Sequence, residues 1–202
     1  PPVYPPFYSV ARTTGKTVIP APLNQESRLD PEAIEAAFKE ATAGGRGAVM
    51  LLSNPHNPTG TVHTQAELAE VARLARQYGV RVISDEIHAP LIMPTSTFTP
   101  YLSVGETGPD FAVASASKGW NLAGFKAAVA IPGADSAADL DKMHQRAGNH
   151  PGHIGMIAHK AAYTHARDWL DAAVAGIDEN RHALAELLRI HLPGARYTPP
   201  EG

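Results

Sequence analysis

Apolar and polar positions in this chain follow two periods, one helical and one strand-like, in alternating blocks. Asp30-Pro31-Glu32 sets a capping carboxylate, a first-turn proline and a first-turn acid ahead of Ala33, Ile34, Ala36, Ala37 and Phe38, and Gly44-Gly45 follows. That pattern predicts a helix with start and stop signals. Thr64-Gln65-Ala66-Glu67 has capping-box spacing, and Leu68, Val71, Ala72, Leu74 and Ala75 recur at helical period until Gly79. Glu67, Glu70, Arg73 and Arg76 read as the solvated face of that helix. Short apolar runs predict strands at Lys16 to Pro20, Gly47 to Ser53, Val80 to Ser84, Asp110 to Ser115 and Phe125 to Ile131. The run at 47–53 suits a strand buried on both faces. Beyond residue 134 the pattern is helical almost throughout. An amphipathic stretch from His165 to His191 carries Trp169, Leu170, Ala173, Ile177, Leu184, Leu187 and Leu188, and Pro193-Gly194 closes it.

Strands separated by helices of ten or more residues need crossover connections. The expected fold class is therefore α/β: a mostly parallel sheet with helices on both sides. In open sheets of this kind ligands bind beyond the carboxyl ends of the strands. Three polar clusters stand there: Asn54-Pro55-His56-Asn57-Pro58-Thr59-Gly60, then Asp85-Glu86-Ile87-His88, then Ala116-Ser117-Lys118.

Composition narrows the classes of function. The chain has 202 residues, 44% of them hydrophobic and 6% aromatic, as an ordinary globular chain does. A net charge of -3 lacks the basic footprint of a nucleic-acid binder. No apolar run is long enough for a membrane helix, and no signal-peptide pattern opens the chain, so the default location is cytoplasmic. With no cysteine there is no disulfide, thiolate metal ligand or thiol nucleophile. The start at Pro1-Pro2-Val3-Tyr4 and the end at Pro199-Pro200-Glu201-Gly202 read as those of a piece of a longer protein.

The candidate chemistry centres on Lys118, set in Ser115-Ala116-Ser117-Lys118-Gly119-Trp120 just after a strand-like run. A lysine there can form a Schiff base with a carbonyl cofactor, although a lone lysine after a strand is more often a solvated charge. Asp85 reads either as a cap or as a functional carboxylate at a strand end. His144, His150, His153 and His159 invite a metal reading, but only Asp139 and Asp141 lie nearby and no cysteine joins them. A structural turn at Asn149-His150-Pro151-Gly152 is the simpler reading, and no metal site is expected.

Asn57-Pro58-Thr59-Gly60, Ser84-Asp85-Glu86-Ile87-His88 and Ser115-Ala116-Ser117-Lys118 together resemble the hallmark motifs of fold-type I enzymes dependent on pyridoxal 5'-phosphate (PLP), the aspartate-aminotransferase superfamily. Asn54-Pro55-His56 and Asn121-Leu122-Ala123-Gly124 make the chain more similar to one branch, the MalY/PatB-type cystathionine β-lyases or C-S lyases. The resemblance runs from Pro2-Val3-Tyr4 to Pro200-Glu201-Gly202.

The resemblance implies a PLP-binding large domain over 1–165, lacking its N-terminal part, then an interdomain helix and the start of a truncated small C-terminal domain over 166–202. It implies that Lys118 holds the cofactor aldehyde and moves the substrate's Cα proton. Asp85 keeps the pyridine nitrogen protonated, and Asn57 donates to the 3'-oxygen. His88 sits where many relatives carry a tyrosine with the same partner, a satisfied structural histidine being the alternative. Tyr4 stacks on the ring or simply packs. Ser115 and Ser117 offer hydroxyls to the phosphate, and Lys126 stands where most relatives place an arginine, giving a point charge instead of a two-pronged grip. The Gly-rich phosphate loop falls upstream of Pro1 and the carboxylate-binding arginine downstream of Gly202.

The implied reaction is β-elimination of a sulfur amino acid such as cystathionine, and the implied assembly a homodimer in which the 144–159 segment reaches the partner's site. An aminotransferase is the alternative. A PLP-sensing transcription regulator is more distant, marked by a winged-helix domain ahead of this fold. Small amino acids are the expected partners, with no nucleic acid and no membrane.

Overall fold

The computed structural model describes residues 1–143 and 152–202. Helix α1 spans Pro6–Thr13 and α2 spans Pro31–Thr42. Strand β1 is Val49–Ser53, α3 is Gln65–Tyr78, β2 is Arg81–Asp85 and β3 is Phe111–Ala114. A short helix α4, Ala116–Gly119, follows, then β4, Val129–Pro132. Two helices complete the described chain, α5 at His153–His165 and α6 at Arg167–His191. The strand order is β1-β2-β3-β4.

The start signals read from the sequence are present as contacts. The Asp30 carboxylate accepts from the N–H groups of Glu32 and Ala33 at the start of α2. At α3, Thr64 Oγ1 accepts from the Glu67 N–H while Glu67 reaches back to the Thr64 N–H, closing the capping box. The apolar stripe of α3 is fully buried: Leu68, Val71, Ala72, Leu74 and Ala75 are each at most 1% exposed. They meet Ile34 and Phe38 of α2 and Leu52 and Val82 of the sheet in one core. Burying Leu68 or Leu74 contributes about 1.5–3 kcal/mol each.

Three expectations are corrected. The run at 16–20 is not a strand, because no neighbour there offers it a ladder. Strand β1 is not buried on both faces: it is an edge strand with Val49 57% and Leu51 38% exposed, since α2 and α3 pack against the opposite face. The sheet is mostly parallel, as expected: β1, β2 and β3 run parallel, while β4 runs antiparallel to β3. Finally, the presumed solvated face of α3 is only partly solvated. Glu67 pairs with Arg28, and Arg76 reaches the fully buried Asp110 at 2.8 Å. Asp110 also accepts from the Val82 N–H and the Tyr101 hydroxyl, so Arg76 completes a buried polar hub.

A second, smaller core gathers Ala116, Trp120, Ala162 and Leu170 where α4 meets α5 and α6. The last residues return to the sheet end. The N–H groups of Glu201 and Gly202 donate to the Gly60 carbonyl, and a Cβ on Gly60 would stand 2.4 Å from Pro200 Cβ. With φ +68 as well, that position suits glycine alone. No described helix is long and apolar enough to cross a membrane.

Candidate active site

Strands β1 and β2 end in register, with Ser53 opposite Asp85, and the next backbone bond joins Asn54 N–H to the Asp85 carbonyl at 2.9 Å. Pleating turns Asp85 away from the buried Ser84. The Asp85 side chain faces a small cavity shared with Tyr4, Asn57, His88 and Lys118, with Ser53 and Ile87 completing the wall. Five of the eight residues expected from the sequence therefore meet in one place, drawn from the chain start, two strand ends and α4.

Lys118 reaches the cavity because α4 is held closely. A Cβ on Gly119 would lie 2.7 Å from Pro90 Cβ, so the glycine lets α4 lie against the turn just after His88. Two residues after Lys118, the buried Trp120 donates its indole N–H to the Ala166 carbonyl at 2.8 Å and packs on Tyr163 at 4.7 Å between ring centroids. That anchors α4 to the corner between α5 and α6.

The other three expected residues line no part of the cavity. Ser115 caps α4, accepting from the Ser117 N–H, and donates its single hydroxyl proton to the Ala127 carbonyl at 2.7 Å. The expected role of Ser115 as a donor to phosphate is thus met by a competing acceptor, which also brings Lys126 and its neighbours beside the start of α4. Ser117 is half-buried, and Lys126 is exposed with φ +53.

Charge and burial set the chemistry of the cavity. Burial pushes the Asp85 carboxyl above its ordinary pKa, while the Ile87 N–H, His88 and Lys118 pull it part of the way back. Burial lowers the His88 pKa, the Lys118 cation lowers it further, and Asp85 opposes both. His88 Nε2 is buried with no partner. An unpartnered buried nitrogen beside a lysine, a carboxylate and an asparagine fits a polar ring substituent approaching from the cavity. The donor set suits PLP: an amine for the aldehyde, a carboxylate for a ring N–H, and donors for a ring oxygen.

Sequence reasoning missed the shell behind these residues. Ser53 Oγ donates to the Pro55 carbonyl and accepts from the Asn57 N–H at 3.1 Å, which fixes the Asn57 loop. Glu86, buried just past the end of β2, accepts from Ser84 Oγ, the Tyr101 N–H and Asn54 Nδ2. Strand alternation would have pointed to Ser84 and Glu86 as a buried polar pair. Among the described residues no group of three His, Cys, Asp or Glu could hold a metal ion. His153 and His159 lie on α5, while His144, His150 and the turn at 149–151 fall outside the described residues.

The sequence matches the family Aminotransferase class I and II over residues 1–202. The chain belongs to the aminotransferase class I and II family. A Mycobacterium leprae (strain TN) protein named "Putative cystathionine beta-lyase" is 52% identical, over 100% of this chain and 51% of its own length. The cystathionine beta-lyase PatB of Bacillus subtilis (strain 168) is 30% identical, covering 100% of this chain and 53% of its own. Among solved structures, the PLP-bound C-S lyase from Staphylococcus hominis superposes with a TM-score of 0.89 at 26% identity, over 99% of this chain and 51% of that one. The chain spans about half the length of the curated relatives it matches.

Two buried histidines behind the cavity give an acid-sensitivity prediction. His63 is fully buried, its Nε2 donating to the Ser53 carbonyl at 3.1 Å and its Nδ1 unpartnered. Burial, then neighbouring His56, lowers its pKa from 6.5 to about 4. The folded state therefore binds fewer protons than the unfolded state between those values. Stability is complete above 6.5 and falls as pH drops towards 4, by about 3 kcal/mol in all. Urea unfolding at pH 7 and pH 4.5 should show this loss, and His63→Gln, which keeps a donor for Ser53, should remove most of it. An equal loss in the variant would refute the assignment.

Proposed function

We propose that this chain is part of a PLP-dependent enzyme that cleaves the Cβ–S bond of a sulfur amino acid such as cystathionine. The observation that carries the reading is the convergence of Lys118, Asp85, Asn57 and His88 on one cavity, with His88 Nε2 unpartnered. The names of the relatives above support the choice of a lyase. PLP, when bound, supplies the electron sink for the pair left at Cα.

The residues divide the remaining work. Lys118 Nζ would hold the cofactor aldehyde and would take the Cα proton of the substrate. Asp85 would accept from the ring N–H and favour the cationic ring nitrogen. Asn57 Nδ2 and His88 Nε2–H would be the donors for the 3'-oxygen, and Tyr4 would cover the ring. The Ser117 hydroxyl and the Lys126 ammonium, close in sequence to Lys118 but outside the cavity lining, would be the groups offered to the phosphate. As Cα–H and Cβ–S break, the sulfur leaves with its electron pair as thiolate, and the unsaturated amino acid takes up one water to give pyruvate and ammonia. The reading extends to a cytoplasmic homodimer with a large domain over 1–165 and a second domain starting with the 166–202 segment.

The test is to incubate the protein, at the length of its relatives, with PLP and cystathionine, and to assay pyruvate and free thiol. Equal amounts of both are expected. Amino transfer to a 2-oxo acid without thiol release would replace the lyase reading by the aminotransferase one.

A further inference from the structure

The segment carrying Tyr4 is held mainly at its carbonyls: Pro1 accepts from the Leu23 N–H at 3.2 Å and Tyr4 from the Phe7 N–H at 3.1 Å. Pro2, Pro5 and Pro6 have no backbone N–H to donate, so Tyr4 is flanked by residues that can be pinned mainly through their carbonyls. One such pin comes from behind the cavity. His56, only 6% exposed, places Nε2 2.7 Å from the Pro2 carbonyl oxygen. A carbonyl only accepts, so Nε2 carries the proton, and Nδ1, buried without a partner, carries the lone pair. Burial lowers the His56 pKa and so favours this neutral ring.

The other end of this link is rigid. The His56 N–H donates to the Thr61 carbonyl, the His56 carbonyl accepts from the Gly60 N–H, each at 2.8 Å, and His63 packs edge-on at 5.7 Å. The adjacent Asn57 already lines the cavity. The link thus runs from the loop that presents Asn57, through one imidazole N–H, to the carbonyl two residues before Tyr4.

We propose that His56 is a positioning residue: its Nε2–H bond to the Pro2 carbonyl sets the Tyr4 ring over the cavity. The inference rests on the reading of that cavity as a PLP site and adds to it a residue that touches neither cofactor nor substrate.

The reach of the donor provides the test. Gln places an amide nitrogen near the position of Nε2, whereas the amide nitrogen of Asn stops near Nδ1 and falls short of Pro2. The PLP dissociation constant and the visible circular dichroism of the holoenzyme are measured for His56→Gln and His56→Asn, each with Tyr4 and with Tyr4→Ala. With Tyr4 present, H56N should bind PLP roughly 5–10-fold more weakly, the effect of one lost hydrogen bond, while H56Q stays within about twofold of the parent. With Tyr4→Ala, H56N and H56Q should be alike, because the link then has nothing to position.

If H56N weakens PLP equally with and without Tyr4, or Tyr4→Ala leaves PLP binding unchanged, the inference is overturned while the site reading stands. If the parent takes up no PLP, the site reading itself fails. Should H56N not fold, H56Q decides alone: parental binding and dichroism support the link, and a loss as large as that of Tyr4→Ala overturns it.

Discussion

Lys118→Ala should lower thiol release from cystathionine by roughly 10³-fold or more, since it removes both the nucleophile and the proton-transfer base, either of which alone supplies factors of that order. The long-wavelength absorbance of lysine-bound cofactor should vanish with it. The fold should persist, because Lys118 is exposed and its position comes from neighbours: Gly119 against Pro90, and Trp120 on Ala166 and Tyr163. Thermal melting within a few degrees of the parent, turnover at saturating PLP and the absorbance spectrum together test this. A variant retaining turnover would show that another base serves the cavity. The substitution also has an electrostatic signature. Without the lysine cation the Asp85 and His88 pKa values should both rise, because Lys118 lowers each of them.

Much of this site was legible because its information is local. Capping signals at Asp30 and Thr64 place α2 and α3, and those helices place the strands whose ends carry Asn57, Asp85 and Lys118. The unread parts depend on partners far along the chain. Glu67 and Arg76 have the spacing of a solvated face, and nothing nearby reveals that Arg28 lies 39 residues before Glu67 or that Asp110 lies 34 after Arg76. Likewise, the apolar run of β1 has the composition of a strand covered on both faces, yet exposure depends on what packs there, and α2 and α3 pack on one face only.

The direction of β4 was not readable by length. Residues 115–128, between β3 and β4, are enough for a crossover to a parallel strand. In the structure the chain instead turns and runs back beside β3. That reversal brings the Ala127 carbonyl onto the Ser115 hydroxyl at the cap of α4. Ser115 was expected to serve phosphate from its place in the motif alone; its competing acceptor comes from a segment whose course depends on the direction of β4.

Asp85→Asn separates activity from stability and should move them in opposite directions. The amide keeps an oxygen for the Ile87 N–H, which Asp85 Oδ1 accepts at 3.2 Å, so the end of β2 should be unchanged. It loses the negative charge that holds a proton on the pyridine nitrogen, and turnover should fall roughly 10²–10³-fold, comparable to losing one preorganised charge interaction in an active site. Without cofactor the sign reverses. Burial, the largest influence, raises the Asp85 pKa above 3.8. Between 3.8 and that raised value the folded state binds more protons than the unfolded one, so stability falls as pH climbs through the window and stays reduced at pH 7. Removing the carboxylate removes that loss, and the cofactor-free variant should melt at a temperature equal to or above the parent's at pH 7. Added PLP should then stabilise the parent more than the variant, because only the parent gains a partner for its buried charge. Melting curves with and without PLP, set beside turnover, decide it. A cofactor-free variant less stable than the parent would mean that Asp85 is a structural cap; undiminished turnover would mean that the ring nitrogen needs no carboxylate here.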